Sequence, residues 1–167
     1  MREREKIRVL AAYHVAGARL GKQRDFGALV TLFDTRLRAH ARRLCDDGDT
    51  ARDIVQEAWI AIARGLAGLR DDHAFLPWAL RIVTRTAARE LGPIGVTVNM
   101  VSGGLLRVTD ASAATPDAVF DLIAAQTPLG RVTTPDELAD AVLFFASPWS
   151  RAVTGQNLIV DGGLVFG

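Results

Sequence analysis

The sequence predicts a mainly α protein. An N-terminal helical bundle over residues 1–90 is followed, over 91–167, by a small incomplete α/β unit with two parallel strands. Three observations lead there. Residues 1–91 carry one apolar stripe of helical spacing after another, with Pro77 as their single proline. Residues 92–167 turn rich in Gly, Pro, Val and Thr. The charge changes at the same place: 17 Lys+Arg against 12 Asp+Glu before it, net +5, and 3 against 7 after it, net −4, with no lysine. A break this sharp suggests two segments of different origin, as in a chimera.

The elements follow in order. Residues 4–20 and 25–45 read as helices. In the second, Phe26, Leu29, Val30, Phe33, Leu37, Ala41 and Leu44 form one stripe, with Arg36, Arg38, Arg42 and Arg43 largely off it. The run Asp46-Asp47-Gly48-Asp49 breaks the pattern, and Asp49 is the expected N-cap of a third helix over 50–69. Its inner face is Ile54, Val55, Ala58, Trp59, Ile62, Leu66 and Leu69, and its outer face shows Asp53, Gln56, Glu57 and Ile60. After the polar run 70–73 a fourth helix spans about 74–90, with Arg81, Arg85 and Arg89 four apart, and Gly92-Pro93 stops it. Val96–Val101 is β-branched and apolar, as a buried strand requires. Pro116 opens a helix over 116–126 with Thr115 as cap; Thr134 caps another over 135–147, with Leu138, Ala141, Val142 and Phe145 inward. Asn157–Val160 reads as the second strand.

Composition sets further bounds. A single cysteine, Cys45, permits no internal disulfide, so a reducing, cytoplasmic setting is expected. No stretch has the length of a membrane span, and no cofactor or metal motif stands out.

Two resemblances extend this reading. The stretch ARDIVQEAWIAIARGLAGLRDDHAFLPWALRIVTR, with FGALVTLFDTRLRAHARRL upstream, resembles region two of bacterial sigma factors of the extracytoplasmic-function group. That resemblance implies a module that binds core RNA polymerase and the single-stranded promoter −10 element in transcription initiation. Asp53, Gln56, Glu57 and Ile60 would contact the polymerase; His73, Phe75, Trp78, Arg81 and Arg85 would contact DNA. Carboxylates on a rigid helix face suit an arginine-bearing partner. Aromatic and arginine side chains suit unstacked bases and their backbone.

The second half is similar to the C-terminal third of a short-chain dehydrogenase/reductase of the acyl-carrier-protein reductase type. The matching pieces are Glu90-Leu91-Gly92-Pro93, Val96–Asn99, Pro128-Leu129-Gly130-Arg131, Pro135–Ala139, Thr154-Gly155-Gln156 and Asp161-Gly162-Gly163. The loop Ser102-Gly103-Gly104 stands where that family sets a proline–glycine pair against the nicotinamide, with Gly103 in the proline's place; Thr109 stands near a further cofactor contact. The family's Tyr-x-x-x-Lys pair and glycine-rich phosphate turn have no counterpart here: Tyr13, the single tyrosine, is followed by HVAG. No catalytic residue and no cofactor are therefore expected. The favoured expectation is a non-enzymatic sigma-like binding module. The runner-up is a catalytically incomplete fragment of an NAD(P)-dependent short-chain oxidoreductase, acting through oligomerisation, with a homodimer formed by its last helix and strand.

Overall fold

The computed structural model describes residues 3–165, with side chains from residue 5 onward. The chain divides into two compact units, the first ending at Val98 and the second beginning at Asn99. The expected boundary lay at residue 90. The chain stays with the first unit for eight residues more, because Leu91 and Val98 are buried in its core.

The first unit contains four helices: α1 (Glu3–Arg19), α2 (Gln23–Ala41), α3 (Gly48–Gly65) and α4 (Phe75–Leu91). Apolar residues at i, i+3, i+4 and i+7 put each stripe on one side, and the stripes meet. Leu29, Phe33 and Leu37 of α2, Ile54, Val55 and Ile62 of α3, and Phe75, Ala79 and Val83 of α4 are fully buried. Each large side chain contributes about 1.5–3 kcal/mol of transfer free energy. The aromatic centre is compact: the Phe33 and Phe75 rings lie 5.1 Å apart, and Trp78 sits 6.0 Å from Phe75.

Polar ties set the helices against one another. His14 Nδ1 lies 2.8 Å from Asp25 Oδ1, joining α1 to α2. Asp25 is buried there because Gly17 leaves it room: a Cβ on Gly17 would strike its carboxylate. Arg19 donates from Nε to Leu66 O and pairs with Asp72 at 2.7 Å, tying α1 to the 3₁₀ turns Leu66–Gly68 and Asp72–Ala74. Trp59 Nε1 donates to Asp34 at 3.0 Å, and this bond holds the indole at the half-buried edge of the core. The Thr84 hydroxyl donates to Leu80 O, so it accepts from Nε2–H of His40 at 3.1 Å. Burial first, and then the neighbouring Arg43, hold His40 below its ordinary pKa.

The cap of α3 is Asp47, not Asp49. Its carboxylate accepts from Thr50 N and from the Thr50 hydroxyl, and these bonds depress its pKa. Either aspartate satisfies the sequence rule; the turn geometry selects the earlier one. The fourth helix ends as a 3₁₀ turn over Gly92–Ile94, and Gly95 at φ 82° closes it in the left-handed region that glycine alone occupies readily.

The second unit holds β1 (Met100–Gly103), α5 (Asp117–Gln126), α6 (Pro135–Ala146) and β2 (Asn157–Val160). The strands pair in parallel, Met100 with Asn157 through Gly103 with Val160. Val96–Asn99, expected to open the first strand, is irregular, and Val96 is exposed. The ladder has a partner strand of four residues, so β1 is confined to the stretch that β2 reaches. The start of α5 also shifts: Pro116 is the N-cap and Asp117 the first helical residue. Thr134 caps α6 in a reciprocal capping box with Glu137, as expected. Of the inward face expected of α6, Leu138, Ala141 and Phe145 are half-buried and Val142 is exposed, and no residue of the helix is fully covered.

Among the described residues, no helix is long and apolar enough to cross a membrane.

Candidate functional site at the carboxyl edge of the parallel strands

In an open parallel sheet the loops leaving the carboxyl ends of the strands form the place where ligands bind. Both strands of the second unit end at one edge. β1 runs into Gly103-Gly104 and β2 into Asp161-Gly162-Gly163. Two glycines are needed here. A Cβ on Gly104 would lie 2.9 Å from the Asp161 Cβ, and one on Gly162 would lie 2.6 Å from the Thr127 methyl. Gly162 also sits at φ 71°. The backbone can therefore close this edge only without side chains at these positions.

The polar groups around the edge hold one another. Ser102 Oγ donates to Asn157 Oδ1 at 2.7 Å, across the strand pair. Asn99 Nδ2 donates to Val153 O, and its Oδ1 accepts from Gln156 N, fixing the entry to both strands. The buried Asp161 carboxylate accepts from Gly163 N and Val165 N, both at 2.9 Å, and so shapes the turn after β2. Beyond β1, Leu106 bridges Thr133. Thr109 and Ser112 are joined by hydroxyls 2.7 Å apart. Arg107 is held by Asp117 at 2.9 Å and stacks 4.5 Å above the Phe120 ring.

This arrangement supplies one wall of a carboxyl-edge site. It offers exposed backbone at Gly103 and Gly104, while Arg107 is paired with Asp117 and Arg131 forms a two-bond pair with Glu137. A dinucleotide needs backbone amides or cations for its phosphates and a proton donor for its substrate. These residues do not provide them by themselves. Among the described residues no group of His, Cys, Asp and Glu has the geometry to hold a metal. Sequence reasoning picked out Ser102, Gly103 and Gly104 as a site loop and gave Asn99, Asn157 and Asp161 no role in the site, although Asn99 and Asp161 stand in the reductase-like motifs. The signal was available: asparagine at the start of each strand segment, and aspartate before a glycine pair.

The first unit places its candidate residues differently. Asp53, Gln56, Glu57 and Ile60 are exposed together on the outer face of α3. His73 and Arg85 are exposed, Arg81 and Trp78 half-buried. Phe75 is not available to any ligand base; it is fully buried between Phe33 and Trp78.

Comparison with known proteins decides between the two readings. The profile of the family described as Enoyl-(Acyl carrier protein) reductase matches residues 37–165. The chain is 46% identical over 85 residues to a 3alpha-hydroxysteroid dehydrogenase of Mediterraneibacter gnavus, covering 51% of this chain and 34% of that protein. It is 38% identical over 107 residues to the short-chain reductase protein NovJ of Streptomyces niveus, covering 60% and 40%. It is 43% identical over 81 residues to the 3-oxoacyl-[acyl-carrier-protein] reductase FabG of Vibrio cholerae, covering 48% and 33%. The chain thus spans between a third and two-fifths of the length of these relatives.

These findings overturn the sigma-like reading. The matched range takes in α3, α4 and the end of α2, the stretch on which that reading rested. Core RNA polymerase and promoter DNA are withdrawn as partners, and with them the contact roles of Asp53, Gln56, Glu57 and Ile60 and of His73, Phe75, Trp78, Arg81 and Arg85. The expected class, mainly α with a region-two-like bundle, gives way to that of an α/β reductase. The expectation of a non-enzyme also falls, because the matched relatives are named as dehydrogenases and reductases. The physical reason is that an amphipathic basic helix is periodic and keeps no record of the fold it serves.

Proposed function

The chain belongs to the Enoyl-(Acyl carrier protein) reductase family, and from that premise we propose that it serves NAD(P)-dependent oxidoreduction, interconverting a secondary hydroxyl and its ketone. The names of its relatives support this substrate class: a hydroxysteroid dehydrogenase on one side and a 3-oxoacyl reductase on the other. The observation that carries the reading to particular residues is the parallel β1–β2 pair, which brings Ser102-Gly103-Gly104 and Asp161-Gly162-Gly163 to one edge. A bound dinucleotide would give the hydride in the reduction and take it in the oxidation. The role of these residues is positional: Gly103 and Gly104 let the backbone approach a flat ring, and the Ser102–Asn157 and Asp161 bonds keep that backbone rigid. The activity is that of the assembled reductase, whichever polypeptide carries its remaining strands.

The test is a titration of NADP⁺ and NAD⁺ into the ¹⁵N-labelled chain. One dinucleotide is expected to shift the amides of 102–109 and 161–164. Absence of such shifts with both dinucleotides overturns the reading.

A further inference from the structure

The first unit carries a groove unrelated to the carboxyl edge. It encloses about 500 Å³ between the start of α1, the middle of α2 and the start of α4, a size within the usual range for small-molecule sites, about 300–1,000 Å³. Its floor is aromatic: Phe33 and Phe75 are 2% and 0% exposed, with rings 5.1 Å apart. Ile7 and Leu76 form half-buried walls. Among the described residues its polar side chains are Arg8, Arg36 and His73, all exposed, with no carboxylate.

Arg19, Arg38 and Arg52 each pair with an aspartate. Arg8 and Arg36 form no ion pair among the described residues. A guanidinium is a planar fork that accepts a carboxylate by two parallel hydrogen bonds. An apolar floor beneath it lowers the local dielectric and strengthens that attraction. Two unpaired arginines above a buried aromatic floor thus match a ligand with an apolar body and one anionic end.

We propose that this groove binds a small amphiphilic organic acid, its carboxylate held by Arg8 and Arg36 and its apolar body against Ile7, Leu76 and Pro77. The site lies wholly within the first unit and is independent of the oxidoreductase reading.

The experiment titrates octanoate into the full ¹⁵N-labelled chain, with octan-1-ol and octylammonium as neutral and cationic controls. Octanoate is expected to give saturable shifts at residues 7–11, 33–36 and 73–77, and octylammonium none there. Arg36→Glu and, separately, Arg8→Glu are expected to weaken binding at least about tenfold, and Arg36→Lys, which keeps the charge and loses the planar fork, to weaken it less than Arg36→Glu. Both arginines are exposed, and an unchanged melting temperature verifies that each variant is folded. Equal binding of all three probes, no effect of either glutamate variant, or shifts confined to other residues would each overturn the proposal.

Discussion

At the scale of single residues, the close approach at Gly104 is the most sharply defined feature of the carboxyl edge. Its Cα faces the Asp161 Cβ so closely that a methyl group would have to sit 2.9 Å from it. Asp161 cannot retreat, since both its oxygens accept from the following turn. We expect Gly104→Ala to destabilise the second unit by about 1–3 kcal/mol, the usual range for overpacking. Native-state hydrogen exchange at the β1–β2 amides measures this directly. Unchanged protection in the variant would show that the edge has slack. The legibility of this position was partial. Glycine at 103 and 104 stood out in the sequence, but the reason for Gly104 is a contact with a residue 57 positions away, which no local pattern encodes.

At the scale of elements, α6 shows how a helix start is set by reciprocal bonds. Thr134 Oγ1 accepts from Glu137 N, Glu137 accepts from Thr134 N, and Arg131 adds two bonds to the same carboxylate. The pairing with Arg131 first, then the Thr134 amide, holds the Glu137 pKa at about 2 against an ordinary 4.5. The sign follows from linkage: a carboxyl depressed in the folded state adds stability that is complete above 4.5 and lost as pH falls toward 2. A carboxyl-detected NMR titration should therefore give Glu137 a midpoint near 2, and the stability difference between the native protein and Glu137→Gln should vanish as that pH is approached. A midpoint in the ordinary glutamate range would remove Arg131 from the cap. Here the sequence was informative, because Thr134-Pro135-x-Glu137 is a local signature. The burial of α6 was not. Its apolar residues are spread around the helix, and what covers a face is decided by neighbours distant in the chain.

On the scale of the whole molecule, the two units differ in how much core they own. The first buries twenty hydrophobic residues in one cluster, reaching from Ala11 to Val98. In the second, Phe120 is the one fully buried hydrophobic side chain among the described residues, while Leu122, Leu129, Leu143 and Trp149 stand exposed. A two-stranded sheet with a thin core is marginal in water. We expect residues 1–98 expressed alone to unfold cooperatively in urea, and residues 99–167 alone to show a broad transition with an exposed apolar surface that binds a hydrophobic dye. A sharp transition in the second segment would show that its exposed faces need no covering. Apolar surface left open in this way is also what an α/β fold leaves when its other strands lie elsewhere.

The sequence by itself determined the helices, the break in character near residue 91, the glycine and proline stops, and the reductase-like motifs of the second half. These are local or short-period features, and local physics decides them. It also led astray, because the stripe and charge pattern of α3 and α4 suits more than one family, and periodicity cannot choose between them. Tertiary structure decided which aspartate caps α3, how short β1 is, that Phe75 belongs to the core, and that no residue of α6 is fully covered. It alone brought Ser102 to Asn157 and Gly104 to Asp161, and set Arg8 and Arg36 in the lining of one groove. Each of those pairs is set by chain segments that meet only after packing, and no rule of spacing along the chain contains them.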